Sequence, residues 1–242
     1  MSSLAPLKLQ QPAGTILPLQ KLGSMTEEEI RNLRNGPTTQ LVTEKADGTL
    51  KGFGYDEYPL AAVRAGAPVA DLAMYRFRPG AVPPQIVMPT DDPQAYAEIF
   101  HTILASIDAG EPLKVALIYN EPIMAYHRIG EGALNLGISP MVENLQARLN
   151  ALINPNMHEK YMRIPPTDIK NVFASYPSGH HLRARVTGGV GRGLACRCID
   201  KMYYSELQKL LANDQTIRGD IALAQKDWEN KRRAGQDIYR RQ

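Results

Sequence analysis

Residues 92–110 have the sequence DPQAYAEIFHTILASIDAG and predict the best-defined helix of the chain. Asp91 or Asp92 is placed to cap this helix, and Pro93 stands in its first turn, where a missing amide hydrogen costs little. Apolar side chains recur at helical spacing and predict the buried face, which comprises Tyr96, Ile99, Phe100, Ile103, Leu104 and Ile107. Gly110 is the expected end of the helix.

Strand candidates flank this helix and give the first half of the chain a mixed character. They are residues 39–43, 72–77, 85–88 and the largely apolar residues 113–119. Asp47-Gly48 has the composition of a hairpin turn. Further upstream, Thr26 and Glu29 have the spacing of a helix capping box. Short strands and helices in this mixture predict an α+β fold, in which helices pack on a small mixed sheet.

The second half of the chain is predicted to be basic and mainly helical. Residues 120–139 contain Pro122 and several glycines and are expected to be irregular. Pro140 is expected to open a helix, and helical periodicity returns from about Met202 to the end. Two strands and a flexible glycine-rich loop are expected between these helices, at residues 169–175, 182–186 and 188–193.

These features divide the chain into three parts. We predict a disordered arm at residues 1–23, an α/β body at 24–130 and a basic, mainly helical lobe at 131–242. The arm lacks the charged and apolar regions of a Sec signal peptide, and no apolar run approaches the roughly 18 residues of a membrane span. We therefore expect a soluble protein that is cytoplasmic, or that is exported without a Sec signal peptide.

Charge is distributed unevenly along the 242 residues. Residues 1–159 hold 12 Lys and Arg and 17 Asp and Glu, a net −5, whereas residues 160–242 hold 16 and 8, a net +8. The basic part predicts a polyanionic partner such as nucleic acid, or an acidic protein or membrane surface. The alternative is that the excess of Lys and Arg lies on solvent-exposed helix faces and has no partner. Cys196 and Cys198 are separated by one residue, a spacing that favours neither a disulfide nor a zinc site.

An acidic corner is predicted in the first half. Asp56 and Glu57 lie between two tyrosines, and Pro59 follows. Because Pro59 lacks a donor and restricts the residue before it, Glu57 and Tyr58 are expected to be extended. A rigid corner of this kind can present carboxylates to a metal ion or a reacting water, and it is also an ordinary turn.

The run Asp56-Glu57-Tyr58-Pro59 resembles the signature of the NucA/NucB family of bacterial deoxyribonucleases. The resemblance extends from about Glu28 to Tyr119 in the order of its helices and strands. The chain departs from the family by extra residues around 74–84 and by lacking the family's cysteines and export signal. The resemblance implies a metal-dependent nuclease in which Asp56 and Glu57 are catalytic groups and ligands of Mg²⁺ or Mn²⁺.

A second candidate site lies at Gly179-His180-His181. It resembles the Gly-His-His branch of HNH-type toxin nucleases, which implies that one of His180 and His181 binds a metal and the other activates water. Since no histidine follows His181, the third group of such a site would be Asn213 or Asn230. Nearby arginines suit phosphate contacts, namely Arg183, Arg185, Arg192 and Arg197. The alternative is a basic surface loop with two exposed histidines.

Two further resemblances are confined to short segments. Pro177-Ser178-Gly179-His180 is similar to a phosphatase motif, although the family's other basic motifs and its later histidine and aspartate are absent from the sequence. Residues 74–79 and 163–169 are similar to pieces of ADP-ribosyltransferase toxins. That similarity implies that Arg76 binds the phosphates of a dinucleotide, but Met157 stands where the catalytic glutamate is expected, and Glu159 is out of register.

The sequence therefore predicts a metal-dependent nuclease, or a nuclease-like bacterial toxin or effector, with a divalent metal as cofactor. Two alternatives remain open. One is a non-enzymatic effector that binds a protein partner on a degenerate toxin fold. The other is a divergent ADP-ribosyltransferase. Nucleic acid and protein are both candidate partners, and the sequence does not indicate an oligomeric state.

Overall fold

A computed structural model describes most of the chain. The described residues are 24–45, 47–52, 57–66, 76–78, 80–88, 92–110, 122–154, 162 and 164–235. The chain divides into two units, of which the first comprises residues 1–114 and 135–138 and the second comprises residues 115–134 and 139–242. The predicted arm, residues 1–23, lies outside the described residues. The predicted boundary after residue 130 falls within a helix, and most of that helix belongs to the second unit.

The first unit contains a small mixed sheet. Its strands are β1 (Thr38–Glu44), β2 (Leu50–Gly52), β3 (Tyr58–Pro59), β4 (Arg76–Arg78) and β5 (Gln85–Met88). They follow the order β2-β1-β5-β4, and β3 also pairs with β1. β1 and β5 are parallel, with Leu41 opposite Ile86, and the other pairings are antiparallel. The predicted α+β fold with a mixed sheet is confirmed. The predicted strand at 113–119 lies outside the described residues.

Among the described residues of the first unit, three helices accompany the sheet, namely α1 (Glu27–Arg34), α2 (Leu60–Gly66) and α3 (Pro93–Ala109). Thr26 forms the predicted capping box of α1 with Glu29. α3 is the helix predicted from residues 92–110. The Asp92 carboxylate caps it by accepting from the Ala95 N–H, and Gly110 ends it in a left-handed conformation. All six residues predicted for its apolar face are buried.

The second unit is helical. Its helices are α4 (Ile123–Asn135), whose last residue groups with the first unit, α5 (Ser139–Ile153), α6 (Pro166–Ser175), α7 (His181–Ala195), α8 (Lys201–Asn213) and α9 (Gln215–Arg233). The helix predicted to open at Pro140 is confirmed as α5. The helical periodicity predicted from residue 202 corresponds to α8 and α9, which meet at Asp214; this residue caps α9 by accepting from the Ile217 N–H.

Four predictions for this half of the chain were wrong. The segment 120–139 was expected to be irregular, but α4 occupies most of its described residues, with Pro122 immediately before its first turn. The strands predicted at 169–175 and 182–186 are parts of α6 and α7. Short apolar runs fit a strand or a buried helix equally well, and here Ile169 and Val172, three residues apart, lie buried on one helix face.

The glycine-rich residues 188–193 also form a helix, within α7, rather than a flexible loop. Their glycines permit close helix packing. A Cβ atom at Gly189 would lie 2.2 Å from the Ile153 carbonyl oxygen of α5, and one at Gly191 would lie 2.7 Å from the Ala224 Cβ of α9. Only glycine fits at these two crossings. Among the described residues, no helix is long and apolar enough to cross a membrane.

Candidate metal centre

A short turn fixes His180 at the start of α7. The His180 N–H donates to the Pro177 carbonyl at 3.1 Å, and Gly179 has a φ of 91°, which favours glycine. The Nδ1 atom of His180 accepts from the Leu182 N–H at 3.3 Å, so His180 is the N-cap of α7. The Pro-Ser-Gly-His-His run therefore places His180 and His181 together at one end of a helix, rather than on opposite faces of a strand.

α4 supplies two more side chains to the same place. His127 and Glu131 are four residues apart on α4 and therefore share one face of the helix. The start of α4 is held by Asp168 of α6, whose buried carboxylate accepts from the Ile123 N–H at 3.1 Å. His127 is buried, whereas Glu131 lies at the surface. This arrangement points a buried imidazole and an accessible carboxylate toward the start of α7.

The aromatic rings of this cluster pack against one another. Tyr176 stacks on His180 with ring centroids 4.1 Å apart, and His180 stacks on His181 at 4.6 Å. His127 meets these three rings edge-on, with centroid distances of 5.5 Å to Tyr176, 5.5 Å to His180 and 5.0 Å to His181. The packing restricts the rotation of all three imidazoles, as a preorganised ligand set requires.

Within the described residues, His127, Glu131 and His181 form a group that can hold a metal ion. Their ligand atoms all lie within 4.8 Å of one another. A Glu131 oxygen lies 4.0 Å from the His127 Nδ1 and 3.9 Å from the His181 Nε2. Two ligands about 2.1 Å from a shared ion lie at most about 4.2 Å apart. The two distances to Glu131 lie just below this limit.

The histidines are electrostatically suited to bind a cation through their lone pairs. Burial lowers the pKa of His127 to about 4, with smaller contributions from the nearby His181, His180 and Arg185. The pKa of His180 is also lowered, chiefly by desolvation and then by His181, while Glu131 opposes the shift. His127 is therefore neutral at physiological pH, which is the form in which imidazole ligates metals.

Arg185 is the predicted phosphate-binding arginine that acts on this cluster. It is half-buried, and it donates to the Asn150 side chain at 2.8 Å and to the Gln146 side chain at 3.3 Å, both on α5. These bonds fix its guanidinium, whose positive charge contributes to the lowered pKa of His127. Burial lowers the pKa of Arg185 itself.

Arg183 and Arg192 are built into the interior of the second unit. The Arg183 guanidinium donates to the Asp220 carboxylate at 2.7 Å and to the Tyr176 carbonyl at 3.4 Å, and it lies over the Phe173 ring. Arg192 is 5% exposed and lies over the indole of Trp228. Through these contacts Arg183 connects α7 to α6 and α9, and Arg192 connects α7 to α9. Phosphate binding by either arginine stays a prediction.

The acidic corner belongs to the first unit. The Glu57 carboxylate accepts a hydrogen bond from the Thr38 hydroxyl at the start of β1. Asp56 lies outside the described residues, and so does the Arg76 side chain, although the Arg76 backbone is part of β4. The metal-binding role of Asp56 and Glu57 and the phosphate-binding role of Arg76 stay predictions.

His127 and Glu131 were not predicted as site residues from the sequence. A third group was expected after His181, at Asn213 or Asn230, whereas the imidazole that meets His181 comes from α4, earlier in the chain. The available signal was a histidine followed four residues later by a glutamate. That signal was lost because residues 120–139 were predicted to be irregular. His181 itself, predicted as a catalytic residue, lies in the cluster, and its catalytic role stays a prediction.

Comparisons with protein-family models, curated proteins and solved structures found no match to this chain. The fold and the cluster describe an α+β protein whose helical unit carries a candidate centre of two histidines and one glutamate.

Proposed function

We propose that this chain is a metal-dependent hydrolase of phosphate esters, with its ion held by His127, Glu131 and His181. The observation that carries the proposal is the approach of their three ligand atoms to within 4.8 Å. Two histidines and one glutamate are a ligand set used by catalytic zinc sites, which leave a further position for water or substrate. The exposure of His181 and Glu131 provides access to that position.

The ligand types favour a transition metal over Mg²⁺. Imidazole nitrogens suit zinc and its neighbours, whereas Mg²⁺ prefers oxygen ligands. Of the two ions expected from the sequence, Mn²⁺ fits two imidazoles and a carboxylate better than Mg²⁺ does, and Zn²⁺ fits them well. A bound divalent ion lowers the pKa of a bound water and polarises a phosphoryl oxygen.

His180 is placed to donate a hydrogen bond beside the ion. Its Nδ1 accepts from the Leu182 N–H, so in the neutral ring the proton resides on Nε2. Nε2–H can then donate a hydrogen bond to a phosphoryl or leaving-group oxygen. Its position next to His181, with centroids 4.6 Å apart, brings this donor close to the candidate ion. The positive charge of Arg185, held by α5, favours an anionic substrate in the same region.

We extend the proposal to nucleic acid as the substrate, in a nuclease or nuclease-like bacterial toxin or effector. The support is the net charge of +8 over residues 160–242, which attracts a polyanion. The resemblances at Asp56-Glu57 and at His180-His181 point to the same reaction class. Cleavage of a phosphodiester requires the same activated water and the same stabilisation of phosphate charge as hydrolysis of a monoester does.

A plasmid-nicking assay tests this function. Protein stripped with a chelator and reloaded with Zn²⁺, Mn²⁺ or Mg²⁺ is expected to cleave with Mn²⁺ or Zn²⁺. The Glu131→Gln variant is expected to lose at least about tenfold in rate, because a ligand charge is removed. Glu143→Gln on α5, which also replaces an exposed helical glutamate of the second unit, is the matched control. An absence of cleavage with every ion, or equal cleavage by both variants, contradicts the proposal.

A metal-free phosphohydrolase is the second candidate, and His180 favours it. This residue of the Pro-Ser-Gly-His motif stands in a group of three histidines, where a protonated imidazole can act as an acid. Hydrolysis of p-nitrophenyl phosphate that persists in excess chelator supports this candidate over the first. The interaction-protein and ADP-ribosyltransferase alternatives stay predictions.

A further inference from the structure

A second concave site lies at the other end of α7 from the histidine cluster. It is a cavity of about 340 Å³ between the end of α7, α8 and α9, all in the second unit. This volume is at the lower end of the range of small-molecule pockets. Apolar side chains form part of its wall, among them Leu194, Ile199, Leu211 and Ile221. Tyr204 adds an aromatic ring that is about half exposed.

Two exposed arginines are also among the residues that line this cavity, namely Arg197 after α7 and Arg218 on α9. Over the described part of the chain, neither guanidinium has a hydrogen-bond or ion-pair partner. This distinguishes them from Arg183 and Arg185, whose side chains are engaged by Asp220 and by α5. Two unpaired cations at one concave surface create a local positive potential that favours an anion.

The backbone at Arg197 is a second, independent indication. α7 ends in a Schellman motif, in which the Cys198 N–H donates to the Gly193 carbonyl at 2.9 Å and the Arg197 N–H donates to the Leu194 carbonyl at 3.1 Å. In this motif the first residue after the helix cap adopts a left-handed conformation. That residue is Arg197, and its φ is 55°. Glycine adopts this conformation without the steric cost that a Cβ atom brings. The chain therefore has an arginine where its own backbone favours glycine.

We infer that this cavity binds a small organic anion with an apolar, ring-sized body and a phosphate or carboxylate group. The two guanidiniums would bind the charged group through paired N–H donors. The body would lie against the wall formed by Leu211 and Ile221 and could stack on Tyr204. A role of the Arg197 side chain at this site explains why an arginine occupies a backbone conformation that favours glycine. The site is separate from the metal centre and does not rest on the proposed hydrolase function.

The test titrates the full chain with phenylphosphonate, which has a ring and an anionic group and no ester bond to hydrolyse. Isothermal calorimetry of chelator-treated protein, in which the proposed metal centre is empty, is expected to show one site for phenylphosphonate and at least tenfold weaker binding for inorganic phosphate and for benzyl alcohol. Benzoate distinguishes a preference for carboxylate from one for phosphate. An absence of phenylphosphonate binding overturns the inference.

Variants locate the binding. Arg218→Gln and Arg197→Gly are each expected to weaken phenylphosphonate binding at least tenfold. Arg233→Gln removes an exposed arginine from the same helix, α9, outside the cavity, and is expected to leave binding unchanged. His181→Ala is also expected to leave it unchanged.

Folding is monitored separately by the midpoint of thermal unfolding. Arg197→Gly relieves a strained residue, so its midpoint is expected to be equal to or above that of the wild type while binding falls. Binding that is unaffected by both cavity variants, or that depends on His181 instead, overturns the inference.

Discussion

The His127 ring meets the His181 ring edge-on, with centroids 5.0 Å apart and planes inclined by 69°. Both rings also lie near the carboxylate of Glu131, which is 4.0 Å from one and 3.9 Å from the other. No hydrogen bond joins Glu131 to either imidazole at these distances. The ligand atoms of the three side chains lie within 4.8 Å of one another, and the proposed hydrolase depends on this approach.

The titration of His127 gives a prediction about pH and stability. Its pKa in the folded protein is about 4, below the value near 6.5 of an unfolded chain. As the pH falls from about 6.5 to 4, the unfolded chain therefore binds a proton that the folded protein does not. Metal-free protein is expected to lose roughly 2–3 kcal/mol of unfolding free energy over this window, measured by urea denaturation. His127→Leu should remove most of that slope, and an unchanged slope in this variant contradicts the assigned pKa.

The packing of α7 gives a prediction with an internal control. Gly189→Ala places a Cβ atom 2.2 Å from a backbone carbonyl of α5 and is expected to cost about 3 kcal/mol or more. At Gly188, in the same helix, a Cβ atom meets nothing within 4 Å. Gly188→Ala is therefore expected to stabilise the protein by about 0.5–1 kcal/mol through helix propensity. Chemical denaturation of both variants measures the difference, and equal effects would show that the helix crossing is not as close as described.

Asp168 gives a prediction that links folding to the site. Its buried carboxylate accepts from the Ile123 N–H, so Asp168→Ala leaves a buried donor at the start of α4 unsatisfied. We expect a loss of about 1–3 kcal/mol in the free energy of unfolding. Because α4 carries two of the three candidate ligands, metal affinity should also fall, by at least severalfold. Glu143→Gln serves as the control for metal affinity. A destabilised Asp168→Ala variant that keeps its full metal affinity would show that the contact between Asp168 and α4 does not support the site.

The pair Arg183 and Asp220 gives a prediction about stability alone. Arg183 is 8% exposed, and the Asp220 carboxylate is its partner at 2.7 Å. Asp220→Ala leaves this buried cation without its counter-charge and is expected to cost about 3 kcal/mol. Thermal unfolding measures the loss. Asp227→Ala removes an exposed carboxylate of the same helix and is expected to change stability by less than about 1 kcal/mol.

Local sequence signals were sufficient where they were strong. The capping box at Thr26, the Asp92 cap with Pro93 and the left-handed Gly110 each involve residues within one turn of the helix end, and all three were predicted correctly. These signals also supported the α+β class. They need no information about the rest of the fold, because the interactions are local.

The helical unit was harder to predict because its helix crossings and its histidine cluster depend on tertiary contacts. Glycines at 188–193 indicate a loop when they are considered alone, yet Gly189 and Gly191 are required by the close approach of α5 and α9. Likewise, His127 and His181 are brought together only when α4 and α7 pack. A one-dimensional pattern does not show which of the five histidines will meet. The sequence located His180 and His181 but not the residues that complete the site.

Calorimetric titration of chelator-treated protein with Zn²⁺ tests the proposed metal centre at its ligands. One ion per chain is expected to bind to the wild type and to Glu143→Gln. Binding is expected to be at least tenfold weaker in Glu131→Gln and in His181→Ala, since each removes one of three ligands. Zinc binding of equal affinity in all four proteins, or no binding by the wild type, would contradict a metal centre at His127, Glu131 and His181.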